Sequence, residues 1–418
     1  MSEKTTERSS QVSSVVTSVY DRLVEEIKVT EGLEFIKFDN ENTVLEQIHF
    51  TAIPAPTFQE KVRGDFFEKR FHELGLENVH VDVHGNILGY RLGKGQGPKL
   101  VVSAHLDTVF PEGTDVVAKE IDGKIYAPGI ADDGRGLGAL LSIIRAFEKT
   151  NIDTVGDIVF VATVGEEGLG DLCGVKGLFN DNKEIDGFIS IEPGTPEEIT
   201  YLATGSRRYR VTYTGPGGHS FGDFGIPSAI HALGRAIAKI SDIRVSENPK
   251  TTFNVGTISG GTSVNTIAAS ASMIIDMRST SHDELLKLEE QVLAELHQSV
   301  EEENGRWGKN SIKVELELVG DRPAGSQSAD AMIVQSASAA ASVLGFEPAL
   351  NGASSTDSNV PISLGIPAVT LGGGGDYGGC HTLEEFFDPK DAYYGVQKIF
   401  LTILGLVGVS DVTDPLLK

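Results

Sequence analysis

The sequence predicts an α/β protein built on a mixed sheet, with a ferredoxin-like α+β domain inserted into it. Three observations predict it. Apolar runs at 100–102, 157–164 and 187–191 read as buried strands, and each stops at a His or an acid. The stretch from Arg208 to Leu318 reads as β-α-β-β-α-β. The closing stretch, from Met332, returns to an α/β pattern, so the middle domain interrupts the main one. The expected boundaries are 1–206 and 322–418 for the two parts of the main domain and 207–321 for the insertion, with a loose tail over 1–10.

In chain order, Val15, Val16, Val19, Leu23 and Ile27 recur at helical spacing and predict an amphipathic helix over 12–29. Helices follow over 42–53 and 59–74, separated by a loop with Pro54 and Pro56, and Gly75 is the expected C-cap. Residues 80–84 alternate and turn through Gly85-Asn86 into 87–92, a hairpin signal. A strand at 99–102 runs into Ser103-Ala104-His105-Leu106-Asp107. A short hairpin turns at Asp122-Gly123, and a Gly-rich loop then opens a helix over 137–148.

In the insertion, strands are expected at 208–214, 253–258, 269–278 and 312–318, with helices at 228–240 and 283–301. The last part contains a helix at 332–344, a strand at 367–371, a Gly-rich loop at 372–380 that delivers His381, and a helix at 391–407.

Composition narrows the function. With 35 basic and 60 acidic residues the net charge is −25, which argues against nucleic acid and against an anionic membrane surface as partners. No apolar run approaches the roughly 20 residues of a membrane span. Two cysteines exclude a disulfide framework and fit a reducing cytoplasm, the expected location, and 1–10 shows no apolar signal segment.

Ligands collect at the carboxyl ends of strands in open α/β sheets. There the sequence places His105 and Asp107, then Glu166-Glu167, then Glu192. Asp132-Asp133 lies at a helix start, where Asp133 also suits a helix cap. The glycines at 134, 136 and 138 match a dinucleotide loop only loosely, and the two acids before them would repel a pyrophosphate. The candidate ligands are His105, Asp132, Glu167, Glu192 and His381. Two imidazoles and three carboxylates suit two Zn²⁺ ions, and Mn²⁺ or Co²⁺ suit the same donors. Cys380 reads as a small packed residue rather than a thiolate ligand.

The motifs His105-Leu106-Asp107-Thr108-Val109, Gly129-Ile130-Ala131-Asp132-Asp133, Glu166-Glu167-Gly168, Ile191-Glu192-Pro193-Gly194, Gly217-Gly218-His219-Ser220 and Cys380-His381 stand in one order. In these the chain resembles the M20 metallopeptidase family. The Ala-Asp-Asp form is most like its carboxypeptidase G2 and tripeptidase T branches.

The resemblance implies a zinc-peptidase catalytic domain and an inserted lid and dimerisation domain. It implies that Asp132 bridges two metals, with His105 and Glu192 on one and Glu167 and His381 on the other. Asp107 would orient His105, and Glu166 would be the general base. His219 would reach an active site from the inserted domain, often that of the partner in a homodimer. Asn265 and Arg278 match lid positions for substrate; Arg278 either clamps a substrate carboxylate or pairs with Asp276. Gly134-Arg135 stands where the family commonly has a Lys.

The implied reaction is hydrolysis of an amide in small peptides or N-acyl amino acids. Glu192, rather than Asp, leans toward a carboxypeptidase or deacylase. A tripeptidase T-like aminopeptidase of di- and tripeptides is the alternative, and a non-catalytic binding protein on the same fold is the alternative of another class.

Overall fold

The computed structural model describes residues 12–418; the tail expected over 1–10 lies outside the described residues. The chain divides into two compact units, one made of the residues up to Ala203 with Ser326–Lys418, the other Thr204–Gly325.

The first unit is built on one mixed sheet of eight strands. Their order is Glu77–Val81, Ile87–Arg91, Asp157–Thr163, Lys99–His105, Gly187–Glu192, Ala368–Gly372, Glu198–Thr200 and Ala349–Asn351. The middle strands, from Asp157–Thr163 to Ala368–Gly372, run parallel. Both of their faces are covered, which is why they read as continuous apolar runs rather than alternating ones. On one face the helices Gly134–Thr150 and Tyr393–Val407 meet through Phe147 and Phe400, whose rings lie 4.9 Å apart. On the other the helix Cys173–Asp181 packs Phe179 against Phe188.

Register decides where the parallel strands stop. His105 lies opposite Thr163, and Gly372 opposite Glu192. The carboxyl ends of neighbouring strands therefore open onto one edge of the sheet.

At several points the structure differs from the sequence expectation. The first helix is two, Ser14–Glu25 and Ile27–Phe38, broken at Glu26, whose ψ of 124° is extended. The second helix seats Gly32 where a Cβ would come within 2.8 Å of the Phe400 ring. Apolar spacing runs on across a one-residue break, so periodicity does not reveal it. The hairpin Lys119–Ile121 and Lys124–Tyr126 joins Phe386–Asp388 and Asp376–Gly378 in a separate four-stranded sheet. The Gly-rich segment before His381 thus contains a strand. The helix Cys173–Asp181 and the short strands Glu198–Thr200 and Ala349–Asn351 had no sequence expectation; strands of three residues carry too little periodicity to read.

The second unit follows the order Gly205–Thr214, Ala229–Ser241, Thr251–Gly260, Ser270–Ser279, His282–Trp307, Lys313–Arg322, which is β-α-β-β-α-β. Its antiparallel sheet has the order Thr251–Gly260, Ser270–Ser279, Gly205–Thr214, Lys313–Arg322. Val211, Tyr213, Met273, Ile275 and Met277 bury one sheet face against Ala232, Leu233, Ala236, Leu288, Val292 and Leu296 of the helices. Thr251–Gly260 is an edge strand, exposed over its second half. Among the described residues, no helix is long and apolar enough to cross a membrane.

Candidate metal centre

Strand ends deliver His105 and Glu192, a helix start delivers Asp132, and turns deliver Glu167 and His381. His105 is the last residue of its strand and is buried. Its backbone N–H donates to Asp133 Oδ2 at 3.0 Å. The other oxygen of Asp133 caps the helix Gly134–Thr150 by accepting the Gly136 N–H at 2.9 Å. Asp133 is therefore a cap that also holds the end of the His105 strand, and it leaves Asp132 to face outward. The peptide between the two is cis.

Asp132 sits between the two imidazoles. Its Oδ1 lies 3.1 Å from His105 Nε2, and its Oδ2 lies 3.1 Å from His381 Nε2. His381 Nε2 is also 3.1 Å from Glu167 Oε1, and His105 Nε2 is 3.9 Å from Glu192 Oε2. Three groups of donor atoms, each within 4.8 Å of one another, result: His105, Asp132 and Glu192; Asp132, Glu167 and His381; and His105, Glu166 and Glu167. The first two share Asp132, one through each imidazole contact.

These donors fit divalent cations. Bonds of about 2.0–2.1 Å around a tetrahedral ion put neighbouring ligand atoms roughly 3.3 Å apart. The 3.1 Å separations are close to that edge length.

The electrostatics point the same way. Burial disfavours a charged His105, yet hydrogen bonds to Asp107 and Asp132 outweigh it and raise its pKa well above the ordinary value. Hydrogen bonds to Asp132 and Glu167 raise His381 to about 10. Burial, and then the charges of Asp133, Asp132 and Glu166, push Glu192 well above the usual carboxylate range despite nearby His105. A cluster that draws protons onto both imidazoles and one carboxylate is short of positive charge.

Asp107 does more than orient an imidazole. His105 Nδ1 lies 2.9 Å from the Asp107 backbone carbonyl and 3.5 Å from its Oδ1. The carboxylate instead accepts the backbone N–H of Glu166 at 3.0 Å and of Glu167 at 2.9 Å, and the Thr57 hydroxyl at 2.9 Å. Glu60, also buried, accepts the N–H of Gly165 at 3.1 Å. Two carboxylates therefore hold the turn that presents Glu166 and Glu167.

Arg135, the departure from the family pattern, is buried. It donates to the carbonyls of Gly373 and Ala392 at 2.8 Å, and its guanidinium carbon lies 5.2 Å from the Phe387 ring centre. It ties the helix start to the segments on either side of His381. Burial pushes the Cys380 thiol up to about 12, which disfavours a thiolate there.

Sequence reasoning missed Glu385. This fully buried acid accepts the N–H groups of Gly129, Ala131 and Asp132, each at 2.9 Å. No sequence signal separates it from its exposed neighbour Glu384.

His219, Asn265 and Arg278 belong to the second unit. Gly218–His219 pairs with Thr266–Ile267 in a short ribbon, and the Ser220 N–H donates to the Asn265 carbonyl at 2.9 Å. His219 is exposed. Its Nδ1 accepts N–H groups from Phe221 at 3.2 Å and Gly222 at 3.1 Å, which places the ring proton on Nε2. The Asn265 side-chain oxygen accepts from the Ser263 hydroxyl at 2.7 Å. Arg278 Nε donates to Asp276 at 2.7 Å, and Arg208 donates to the other Asp276 oxygen at 2.8 Å. Pairing with Asp276 is thus the arrangement present in the structure.

Comparison with known proteins agrees with this picture. The chain is 28% identical over 364 residues to the uncharacterised protein YqjE of Bacillus subtilis, covering 83% of this chain and 93% of that protein. It is 26% identical over 229 residues to carboxypeptidase G2 of a Pseudomonas species, covering 51% of this chain and 54% of that one. A tripeptidase structure from Staphylococcus aureus shares the fold with a TM-score of 0.72 at 23% identity, covering 87% of this chain and 97% of that chain. Residues 101–404 match the profile of Peptidase family M20/M25/M40, and with most of its length inside that match the chain belongs to this family.

Proposed function

We propose that the chain is a dinuclear metal-dependent amide hydrolase acting on small peptides or N-acyl amino acids. The observation that carries this reading is the placement of the two Asp132 oxygens, each 3.1 Å from a different imidazole. Asp132 would bridge the ions, His105 and Glu192 would complete one, and Glu167 and His381 the other. Zn²⁺ suits this mixed N/O set, and Mn²⁺ or Co²⁺ are the substitutes. When bound, two such cations supply Lewis acidity and bring the pKa of a bridging water toward neutrality.

The chain's own groups supply the proton transfers. Glu166 takes a proton from water as the water oxygen attacks the amide carbonyl carbon, then gives it to the leaving nitrogen as the C–N bond breaks. His219, with Nδ1 accepting two backbone N–H groups, has Nε2 left as the kind of donor that a developing oxyanion needs. Asn265 and Arg278 are assigned to the substrate, Arg278 by exchanging its Asp276 partner for a substrate carboxylate.

Glu192 leans the specificity toward a carboxypeptidase or deacylase, the activity named for the similar carboxypeptidase G2. An aminopeptidase of di- and tripeptides is the second reading, favoured by the fold shared with the Staphylococcus tripeptidase. We assign the second unit the roles of lid and dimer interface; the exposed edge strand Thr251–Gly260 supports that reading. A monomer by sedimentation at micromolar concentration would remove the dimer. The free Cys173 and Cys380 fit a reducing compartment such as the cytoplasm.

The deciding experiment measures metal content and activity together. The purified, chelated and Zn²⁺-, Mn²⁺- or Co²⁺-reloaded chain is assayed on free-amine di- and tripeptides and on N-acyl amino acids. About two ions per chain and chelator-sensitive cleavage of the acylated panel support the leading reading. Cleavage of free-amine peptides alone selects the aminopeptidase. Tight metal binding without turnover on either panel leaves the site intact and places its substrate outside these two classes.

A further inference from the structure

We propose that Glu385 is a positioning residue for Asp132, and through Asp132 for both metal ions. The inference rests on the metal reading above and deepens it. Glu385 is completely buried. Its Oε1 accepts the N–H groups of Ala131 and Asp132, and its Oε2 that of Gly129, all at 2.9 Å. Its own backbone carbonyl accepts the Ala127 N–H at 3.2 Å. One residue thus gathers the backbone donors of the segment that ends in Asp132. Without an acceptor those N–H groups would be buried and unsatisfied, so the segment would rewind to find others.

The same residue is coupled to His381. The turn between them is closed by Thr382 N–H to the Gly379 carbonyl at 3.0 Å and by Glu385 N–H to the Thr382 carbonyl at 3.2 Å. His381 and Asp132 come from segments far apart in the chain, and Glu385 links the two backbones within a few residues of each side chain. Asp107 makes a parallel arrangement: two residues after His105, it holds the backbone of Glu166 and Glu167. Each loop that carries an imidazole therefore also carries a carboxylate gripping the backbone of a segment that carries a carboxylate ligand.

Glu385→Gln tests the idea. One oxygen becomes an amide NH₂, a donor set against N–H donors, while size is nearly unchanged. On the full chain, competition with a chromophoric chelator should show Zn²⁺ affinity at one or both sites weakened about 10–100-fold, the range for a lost partner behind a metal ligand. The Co²⁺-loaded variant should show an altered visible absorption spectrum, with far-UV circular dichroism unchanged. Glu385→Asp keeps both oxygens on a shorter arm and should fall between Gln and wild type; it decides the matter if the Gln variant does not fold. Wild-type affinity and spectrum in the folded variants overturn the proposal. So does a lower thermal midpoint of the metal-free chain with unchanged metal affinity, which would assign Glu385 a purely structural role. Wild-type chain that takes up no metal overturns the metal reading itself, and this one with it.

Discussion

Asp107 Oδ2 accepts the backbone N–H of Glu167 at 2.9 Å, while the Asp107 backbone carbonyl lies 2.9 Å from His105 Nδ1. One residue therefore links the end of one parallel strand to the turn after its neighbour. The contact to Glu167 depends on the register that sets His105 opposite Thr163, whereas the contact to His105 is local to its own segment. Asp107→Asn keeps the backbone contact to His105 but replaces one accepting oxygen with a donor facing an N–H. Metal affinity or turnover should fall about 10–100-fold. Chelator competition beside a turnover assay reads it, and a variant as active and as tightly loaded as wild type would refute the role.

Glu166 is buried, and a donor group of His105, Glu166 and Glu167 would let it serve as a ligand instead of a base. Glu166→Gln separates the two roles. As a base, its loss should lower kcat by roughly 10²–10⁴-fold with metal content unchanged. A matching drop in metal content would make it a ligand.

Gly395, in the first turn of the helix Tyr393–Val407, lies against the Gly-rich segment that leads to His381. A Cβ there would lie 2.3 Å from the Gly374 nitrogen and 2.4 Å from the Gly373 carbonyl carbon, both backbone atoms that cannot swing aside. Gly395→Ala should destabilise the chain by about 1–3 kcal/mol through overpacking. Urea unfolding measures it, and an unchanged midpoint would show that the segment yields freely.

Lys398 is fully buried, its Nζ donating to the Glu198 carbonyl at 2.6 Å, and burial lowers its pKa to about 7 from 10.5 against the raising effect of Glu198 and Glu197. Between about 7 and 10.5 the unfolded chain binds more protons at this position than the folded one. Folding stability contributed by this group therefore rises with pH across that window and is flat below it. Unfolding free energies at pH 7 and pH 9.5 should differ more in wild type than in Lys398→Met. Equal differences in the two chains would show that Lys398 stays charged in the fold.

Much of the fold was legible because it rests on local patterns. The run 100–102 is apolar because both faces of its strand are covered, and the helix of 137–148 declares itself by its apolar content and the Gly-rich loop before it. The break at Glu26 was not legible, because the apolar spacing continues across it; the contact of Gly32 in the second helix with Phe400, hundreds of residues away, was not legible either. Short strands such as Glu198–Thr200 were not legible either, since their pairing partners rather than their own side chains define them.

The site divides in the same way. The sequence by itself determined which residue types stand where strands end, His105, Glu166 and Glu167, and Glu192, and which stand at a helix start, the acids at 132 and 133. Only the tertiary structure decided which of two adjacent acids does what. Asp133 turned inward because its carboxylate meets the free N–H of a helix start and that of His105, and Asp132 was left to face both imidazoles. Only the structure separated Glu385 from Glu384, since the N–H groups that bury one of them come from a segment some 250 residues earlier. Side-chain chemistry is written in the order of residues, whereas which backbone donors converge on a carboxylate depends on segments that meet only when the chain has folded.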